Sequence, residues 1–521
     1  MNRNRNRSRA QQKAGVQVSN RPLHEVTADA IRALEKANQP PVLFVRSGEL
    51  VKVRMDERNR PIIDSLKRDH DALKGHLSRI TRFYRKTQTS SLTCSPPIET
   101  VRDILSLGTW SFPPLEAVVQ VPIVSPGGTV RYSAGYDAET RLYYAPENSL
   151  RHLTVPSSPK EPEVSAALAL ILELLCDFPF DSSASRANAI ALLLTPVLRP
   201  AIYGNVPCAL ISAPQQGTGK SKLANIASLI SCGRDAAKMA EAQTEDEWRK
   251  RITSTLLEGR QFVLIDNMER RLDSSSLSMA LTAETWCDRR LGASSNIEVP
   301  QRATWAVTGN NLQVGGDIQR RCYPINLDSK TTQPWTRTNF RHSNIERWVT
   351  EHRAELVVAA LTLARSWYAA GQPPSPYQSV GSFEGWAEVI GGILGHAKVP
   401  DFLANLDAFY GSGDGDANEW RCFLEMIAAK ESQSRFTVAE LVARMETEPE
   451  LKSALPDELV MVGPAAATLN NRIGKAFQKR AGRRYGPEGR RIERAGETHG
   501  AAQWKVVTDR LSPVVELPVA A

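Results

Sequence analysis

Residues 210–224 read LISAPQQGTGKSKLA, and this stretch decides the fold class because it joins an apolar run to a glycine-rich turn and then to a helix. The order predicts a buried strand that ends near Ser212, a turn at Gly217 and Gly219, and a helix that begins at Lys220. The backbone N–H groups of such a turn and the positive end of the helix converge on one place. That place is suited to bind phosphate groups.

Two side chains at the turn have the chemistry of a nucleotide site. Lys220 supplies a point charge to the β and γ phosphates, and the hydroxyl of Ser221 is placed to ligate Mg²⁺. Pro214 replaces the first glycine of the GxxxxGK[ST] pattern, which loosens the match. The alternative, a glycine-rich turn formed by chance, is disfavoured by the flanking strand and helix. The predicted nucleotide-binding residues are Gln216, Gly217, Thr218, Gly219, Lys220, Ser221 and Lys222.

Three further patterns lie downstream, each at the end of an apolar run. RQFVLIDN contains Asp266, the expected Walker B carboxylate and second metal ligand. ATWAVTGNN ends in Asn310 and Asn311, which are placed to orient an attacking water. In GGDIQRRCYPINL, Arg320 and Arg321 precede another strand, where an arginine would meet the γ-phosphate of a neighbouring subunit. The alternatives are a turn aspartate and a solvated basic turn.

Composition and charge narrow the class of partner. The 521 residues carry a formal net charge of +8, which favours a polyanion such as nucleic acid. The seven cysteines include no CxxC pair, so we expect reduced thiols and no zinc site. No apolar stretch is long enough to span a bilayer, and the arginine-rich start lacks the apolar core of a secretory signal. We therefore expect a cytoplasmic protein with no membrane partner.

The length of the chain predicts several domains. Helix and hairpin patterns come first, then alternating strands and helices, then helical spacing, then the Gly/Asp stretch GSGDGDAN. The first region lacks the paired carboxylates that a primase or polymerase needs. The predicted parts are a disordered basic tail at 1–20, an α+β domain at 21–155, an α/β core with its leading helices at 156–335, a helical region at 336–411, a linker at 412–417, a small domain at 418–510 and a tail at 511–521.

The order of elements in the last domain, three helical segments and then two strand-like runs around a turn, predicts a winged helix. Its third helix carries Arg472, Lys475, Lys479 and Arg483 at spacings of three and four, which predicts one basic face with Arg484 beside it. Such a face predicts binding to DNA phosphates that weakens steeply with salt. The alternative is a solvated face on a protein-interaction module.

The phosphate turn, LIDN, the strand ending TGNN and GDIQRRC together resemble the AAA+ core of superfamily 3 and minichromosome-maintenance-type helicases. The wider stretch from RANAIALLLTPVLRP to GSFEGWAEVIGGIL is similar to the replicative ATPases of bacterial plasmids, prophages and integrative elements. The resemblance implies an AAA+ P-loop core between the α+β domain and the winged helix. It also implies ATP, Mg²⁺, a homo-oligomeric ring taken as a hexamer, single-stranded or forked DNA, and a partner primase or polymerase in the bacterial cytoplasm.

Two departures from the family pattern concern the catalytic base and the DNA contact. These helicases usually carry an acidic residue after the Walker B aspartate, but here it is Asn267. On an extended strand Asn267 and Glu269 share a face, so either Glu269 takes the base role or Asn267 only positions the water. RRLGASSNIEVPQ corresponds to the family's pore hairpin, although its tip lacks a basic residue. The candidate DNA contacts there are Arg289, Arg290, Ser294 and Ser295, and a plain surface hairpin is the alternative.

These patterns leave three hypotheses. The first is an ATP-driven DNA helicase that replicates a mobile genetic element. The second is a DNA-binding replication initiator or helicase loader, in which ATP switches assembly without unwinding; the presence of Asn267 slightly favours it. The third is a defence or regulatory ATPase that acts on protein, which the basic C-terminal domain disfavours.

Overall fold

The computed structural model describes residues 15–289, 296–315, 317–413, 415–430, 435–460, 468–486 and 488–508. The chain divides into two units, one up to Phe409 and one from Tyr410 onward. Residues 1–14 of the predicted N-terminal tail and all of the predicted tail at 511–521 lie outside the described residues. In the described part of the chain, no helix is both long enough and apolar enough to cross a membrane.

The N-terminal region of the first unit consists of short sheets and three helices. Its strands follow the order β1–β5–β6, β2–β3–β4, β10–β11–β7 and β8–β9. The elements are β1 (Gly15–Gln17), α1 (Leu23–Ala37), β2 (Leu43–Arg46), β3 (Glu49–Met55), β4 (Pro61–Ser65), α2 (His70–Ile80), β5 (Arg82–Lys86), β6 (Ser91–Cys94), α3 (Ile98–Ser106), β7 (Ala117–Val119), β8 (Ile123–Val124), β9 (Val130–Arg131), β10 (Gly135–Asp137) and β11 (Leu142–Tyr144).

The first strand, β1, corrects the predicted disordered tail at 1–20. It pairs in parallel with β5, and Val16 is buried in the core of this region. An apolar side chain between polar neighbours is enough to add one strand to a sheet edge, and the ordered structure therefore begins before residue 20.

A five-stranded parallel sheet forms the centre of the first unit, in the order β13–β14–β17–β12–β18. The predicted α/β class is therefore confirmed. Its elements, with the helices and the β15–β16 hairpin around it, are α4 (Glu161–Leu175), α5 (Ser183–Leu198), β12 (Cys208–Ala213), α6 (Lys220–Cys232), β13 (Ala237–Met239), α7 (Glu245–Leu257), β14 (Phe262–Met268), α8 (Ser275–Thr282), β15 (Thr285–Arg289), β16 (Asn296–Pro300), β17 (Thr304–Asn310) and β18 (Cys322–Asn326).

The central strands β12, β14 and β17 are buried along nearly their whole length, as expected for parallel strands with both faces of the sheet covered. Their register sets the positions of the polar residues at their carboxyl ends. Ala213 lies opposite Asn310, and Ile265 lies opposite Val307. The ends of these strands and the turn after β12 therefore meet at one edge of the sheet, where ligands bind in open parallel sheets.

The first unit ends in a helical region, and one helix runs on past Phe409. The helices are α9 (Ile345–Glu351), α10 (Arg353–Ala369), α11 (Glu384–His396) and α12 (Leu406–Gly413). The predicted linker at 412–417 is occupied by the end of α12 and the start of α13 (Gly415–Lys430), while Asp414 lies outside the described residues. Glycine at several positions of this stretch lowers helix propensity but does not forbid a helix.

The second unit combines helices with a small antiparallel sheet in the order β19–β21–β20. Its core contains Trp420, Phe423, Phe477 and Trp504. The elements after α13 are β19 (Phe436–Thr437), α14 (Val438–Thr447), α15 (Pro449–Ser453), α16 (Asp457–Val460), α17 (Leu469–Arg480), β20 (Arg491–Thr498) and β21 (Ala501–Val507).

Candidate functional site

The turn between β12 and α6 depends on two glycines in left-handed conformations. Gly217 has φ +76° and Gly219 has φ +99°, a region that side-chain-bearing residues rarely adopt. Space is also restricted, because a Cβ on Gly217 would lie 3.1 Å from Cβ of Trp335, and a Cβ on Gly219 would lie 3.4 Å from the ring of Phe178. The turn delivers the chain into α6, whose first residue is Lys220 as predicted.

Lys220 is a nearly buried cation with only neutral partners. It is 9% exposed, and its Nζ donates to the carbonyl of Gln215 at 3.0 Å and to Oδ1 of Asn310 at 2.7 Å. Burial lowers the pKa of Lys220, and the nearby charge of Asp266 acts in the opposite direction. Nζ also lies 3.4 Å from the hydroxyl of Thr218, and since none of these three described partners carries a charge, the positive charge of Lys220 is available to an anion at the turn.

The carboxylate of Asp266 accepts two hydroxyl hydrogen bonds at one oxygen. Ser221 Oγ lies 2.6 Å from Oδ1 and Thr308 Oγ1 lies 2.7 Å from it, while Lys238 Nζ is 3.1 Å from Oδ2. Burial acts to raise the pKa of Asp266, but the hydrogen bonds from Ser221, Thr308 and Lys238 outweigh it and the pKa is lowered. Asp266 is therefore ionised at neutral pH, and its oxygens lie beside the Ser221 hydroxyl.

The strand β14 is irregular just after Asp266, which corrects the prediction that Asn267 and Glu269 share a face of an extended strand. Asn267 has φ +58°, and the pairing with β17 shifts register between Ile265 and Met268. Asparagine tolerates this conformation better than most residues. Asn267 lines the cavity at the turn, whereas Glu269 is exposed and does not line it.

Glu269 is held outside the cavity by two contacts. Its backbone N–H donates to the carboxylate of Glu241 at 3.1 Å, and its own carboxylate lies 3.4 Å from Nδ2 of Asn267. A base must lie within hydrogen-bond reach of the water it activates, directly or through one water. In this conformation the carboxyl group of Glu269 contacts the cavity-lining side chain of Asn267 but does not itself line the cavity.

The turn opens into a cavity of about 350 Å³. Besides the turn residues, its walls include aromatic and polar side chains from distant parts of the chain. These are Asp177, Phe178, Arg337, Phe340, His342 and Ile345. A charged end next to an apolar, aromatic wall matches the two parts of a nucleotide, its phosphates and its base.

One carboxylate fixes the aromatic wall. The two oxygens of Asp177 accept the backbone N–H groups of Arg341 and His342, each at 3.0 Å, and the carbonyl of Asp177 accepts from Arg337. The guanidinium of Arg337 lies 5.1 Å from the ring centre of Phe340. The wall is therefore held by the loop that follows α4, far from the turn in sequence.

Sequence reasoning missed several residues of this site. Thr308 could have been found, because it lies two residues before Asn310 and so on the same side of β17. Lys238 lies on the edge strand β13, where its contact with Asp266 depends on the strand order. No sequence pattern links the turn to the other residues of the wall, Phe178, Arg337 and Phe340.

Other predicted polar residues take different positions. Asn310 contacts Lys220, whereas Asn311 has φ +43° and donates its backbone N–H to the carbonyl of Ala213 at 3.0 Å. The residues lining the cavity include Asn310 but not Asn311. Of the predicted nucleotide-binding set, every residue from Gln216 to Lys222 lines the cavity.

Arg320 and Arg321 form a separate cluster with Asp317 and do not line the cavity. Arg320 is exposed, with 58% of its side chain accessible, whereas Arg321 is 11% accessible and also donates to Ser278. The two arginines therefore differ in what they can reach. Arg320 faces solvent, while Arg321 is held against α8.

The predicted DNA contacts in the hairpin are only partly described. Arg289 is the last residue of β15, is exposed and pairs with Asn296. Arg290, Ser294 and Ser295 lie outside the described residues.

The predicted basic face of the second unit is shorter than the sequence suggests. Arg472, Lys475 and Lys479 lie on α17, and both lysines are exposed. The helix ends at Arg480, and Gly482 with φ +80° follows, so Arg483 and Arg484 lie beyond the helix rather than on its face. All the same, both are exposed near its end.

No protein-family model matches this chain, and no curated protein matches it. Among solved structures, the chain is similar to the apo A form of the NrS-1 C-terminal region, with 11% identity, coverage of 91% of this chain and 97% of that chain, and a TM-score of 0.35. A second structure of that region, residues 305–718, gives 12% identity, coverage of 92% and 98%, and a TM-score of 0.38.

The X-ray structure of JCV helicase is also similar, with 14% identity, coverage of 48% of this chain and 66% of that chain, and a TM-score of 0.23. These identities and scores are too low to carry an argument about the activity of this chain. The geometry around Lys220 and Asp266 is the stronger guide.

Replacing Thr308 by Val removes the hydroxyl that donates to Asp266 and accepts from the backbone of Asn267. We expect a loss of about 1.5–3 kcal/mol in unfolding free energy at pH 7, the range for hydrogen bonds to charged groups. Because the pKa of Asp266 is lowered from 3.8 in the folded state, the loss is full above that value and shrinks as pH falls through the lower folded pKa. Urea denaturation between pH 7 and pH 3 measures it.

Thr304→Val is the matched control, since Thr304 lies on the same strand and its buried hydroxyl has no partner among the described residues. Its replacement is expected to leave stability unchanged or to raise it. Equal losses in the two variants at every pH would contradict the ionised carboxylate at Asp266.

Proposed function

We propose that this chain is a P-loop ATPase that drives a DNA helicase for replication of a mobile genetic element. The observation that carries the proposal is the convergence of Lys220, Ser221, Asp266 and Asn310 on one side of the left-handed glycine turn. Phosphate binding needs a cation and inward N–H groups, and a metal site needs oxygen ligands. Lys220 and Ser221 line the cavity, and the carboxylate of Asp266 contacts Ser221 from just behind its wall.

Each residue has a role in this proposal. The turn from Gln216 to Gly219 and the start of α6 hold the phosphates, and Lys220 contributes its charge to the β and γ groups. Ser221 and Asp266 hold Mg²⁺, and their hydroxyl and carboxylate oxygens fit an ion that keeps most of its water and phosphate ligands. When bound, Mg²⁺ would neutralise charge on the transferred phosphoryl group.

The base of the nucleotide fits the aromatic wall. Phe178 and Phe340 line the cavity together with Ile345, and Arg337 stacks against Phe340. Aromatic and guanidinium planes bind flat heterocycles by stacking. ATP is the nucleotide proposed, with the resemblance of the sequence to ATP-driven helicases as its support.

The proposed ring places Arg320 at the site of a neighbouring subunit. Arg320 is exposed and lies outside the cavity of its own subunit, as a residue that acts in trans must. Arg321 is proposed to hold Asp317, which in turn pairs with Arg320. A hexamer is the expected ring, and a primase or polymerase of the same replication system is the expected partner.

The second unit is proposed to be a winged helix that binds DNA, and this proposal includes the domain boundaries expected from the sequence. Its support is the order of helices followed by the β20–β21 hairpin, and the exposed basic side chains of α17 and the residues after it. Lysine and arginine there neutralise phosphates without reading sequence. The hairpin from Arg289 to Gln301 is proposed to contact the DNA strand in the ring.

One observation favours a second candidate, an initiator or loader in which ATP switches assembly without unwinding. The residue after Asp266 is Asn267, and Glu269 does not line the cavity. Without a carboxylate that contacts the attacking water, hydrolysis would be slow, since positioned bases contribute about 10²–10⁴-fold. Slow turnover suits a switch better than a motor.

Lys220→Ala tests the first reading. We expect ATP turnover in the presence of single-stranded DNA to fall by about 100-fold or more, the range for loss of one group that stabilises transition-state charge. Phosphate release and separation of a forked duplex are measured together. The exposed Lys250 on α7 gives the control variant Lys250→Ala, which should keep both activities.

The same two measurements on the wild type distinguish the helicase from the initiator or loader. DNA-stimulated turnover with strand separation in the wild type supports the helicase. Fork binding with neither stimulation nor separation supports the initiator or loader, and no ATP binding at all contradicts both.

Arg320→Ala tests action in trans. Turnover should fall by about 1000-fold, at the lower end for an arginine that contacts a γ-phosphate. Mixing Arg320→Ala with Lys220→Ala protein should restore part of the activity, because a mixed ring contains some sites with both residues intact. Arg347→Ala removes another exposed, ion-paired arginine and serves as control. Full ATPase activity of Arg320→Ala would show that Arg320 does not contact the γ-phosphate of a neighbouring subunit.

The double change Lys475→Ala, Lys479→Ala tests the basic face. Removing two phosphate contacts should lower the slope of log K against log salt by about 1.8 for duplex DNA. Fluorescence anisotropy at several salt concentrations measures the slope. Lys452→Ala removes an exposed lysine of the same unit outside α17, and it should leave the slope unchanged. An unchanged slope in the double variant would favour protein contact at this face.

A further inference from the structure

A second cavity, of about 390 Å³, lies in the first unit and shares no lining residue with the cavity at Lys220. Its walls come from β7 and β11, from the end of α5 and the residues after it (196–205), and from Gln301 and Arg302. Much of the lining is apolar, including Ala117, Val119, Leu142, Val197 and Ile202. Nothing in the proposed ATPase cycle uses this cavity.

Arg199 lines the cavity as a buried cation without a carboxylate partner among the described residues. It is 6% exposed, and its Nη1 and Nη2 donate to the carbonyls of Ile202 and Gly204 at 3.2 and 2.8 Å. Its Nε is buried and has no hydrogen-bond partner in the part of the chain that the structure describes. A guanidinium has five N–H groups, so the side chain keeps unused donors on the edge that includes Nε.

Burial lowers the pKa of Arg199 to about 9, which still leaves it charged at neutral pH. A buried charge is normally paired, because moving it out of water is costly. The two carbonyls solvate the guanidinium but do not neutralise it. An anion in the cavity would do so.

The carboxylates around the cavity do not fill this role. Glu116 is engaged by Arg302 at 2.8 Å and lies 3.9 Å from Arg141. Glu139 and Glu284 also line the cavity, and both are exposed to solvent. Glu116 and Arg302 act on the charge of Arg199 with opposite signs, and no carboxylate among the described residues contacts its guanidinium directly.

The lining also carries an exposed aromatic side chain. Tyr203 is 82% exposed, far more than is usual for a large aromatic residue. It follows Ile202, whose carbonyl accepts from Arg199, so the aromatic ring and the buried cation belong to one short segment. A ring of this kind can stack on a flat ligand.

We propose that this cavity is a second ligand site, for a small organic anion with a flat aromatic body, the class to which nucleoside monophosphates belong. The anionic group contacts the guanidinium of Arg199, and the aromatic body lies along the apolar wall against Tyr203. Because the walls come from both the N-terminal region and the residues around the central sheet, a bound ligand strengthens the contact between them.

AMP is the probe for this site, with adenosine and inorganic phosphate for comparison. Binding is measured by isothermal titration in Lys220→Ala protein, in which the other cavity has lost its phosphate-binding cation. One AMP should bind per chain, with an affinity about tenfold or more higher than that of adenosine or phosphate. Adenosine lacks the anionic group that contacts Arg199, and phosphate lacks the aromatic body that stacks on Tyr203. AMP should also raise the melting temperature.

Two variants in the same background locate the site. Tyr203→Ser changes an exposed side chain and should lower the affinity for AMP by about tenfold, the loss expected for one stacked base. Arg199→Lys keeps the positive charge but loses the planar guanidinium, and it should lower the affinity for AMP at least as much. A melting curve without AMP shows whether Arg199→Lys protein is folded, and the surface variant Tyr203→Ser decides the question if it is not.

Phe340→Ser is the control, because Phe340 lines the cavity at Lys220. It should leave the AMP affinity of the site at Arg199 unchanged, and it reduces any AMP binding to the cavity at Lys220. The proposal is overturned if no AMP binds at millimolar concentration, if AMP affinity falls with Phe340→Ser but not with Tyr203→Ser, or if adenosine binds as tightly as AMP.

Discussion

The carboxylate of Asp266 joins three parts of the chain, and the site around the glycine turn depends on it. One oxygen accepts hydrogen bonds from Ser221 on α6 and Thr308 on β17, and the other pairs with Lys238 on β13. A second link, from Lys220 to Asn310, runs parallel to the first. Together they hold the start of α6 against the ends of two strands. The turn between them then keeps its glycines in place, with its N–H groups positioned for the phosphates of the proposed nucleotide.

The sequence was sufficient to predict the parts of this arrangement that follow from parallel-sheet geometry. Strands that run in one direction end at one edge, so an apolar run followed by Asp266 and another followed by Asn310 had to meet near the turn. The left-handed conformation of Asn267 could not be predicted in the same way. It depends on a single dihedral angle, and the regular alternation of a strand gave the wrong position for Glu269.

Long-range contacts were beyond the reach of sequence patterns. Phe178, Arg337 and Phe340 come from two separate loops, and none belongs to a periodic run that points at the turn. At the other end of the chain the error was local, since Gly482 marks the end of α17 before Arg483. Charge was visible in the sequence, but burial was not. Arg199 therefore could not be separated from the other arginines until its surroundings were known.

The hydrogen bonds of Asp177 to Arg341 and His342 determine how much of the chain a fragment must include to keep the whole cavity wall. A shortened chain that begins at β12 would retain the glycine turn, Lys220, Asp266 and Asn310, and yet the loop that carries Phe340 would lose its anchor. On the proposed function, such a fragment would hold phosphates with less discrimination among bases. Selectivity for the nucleobase would then depend on residues upstream of the proposed phosphate-binding turn.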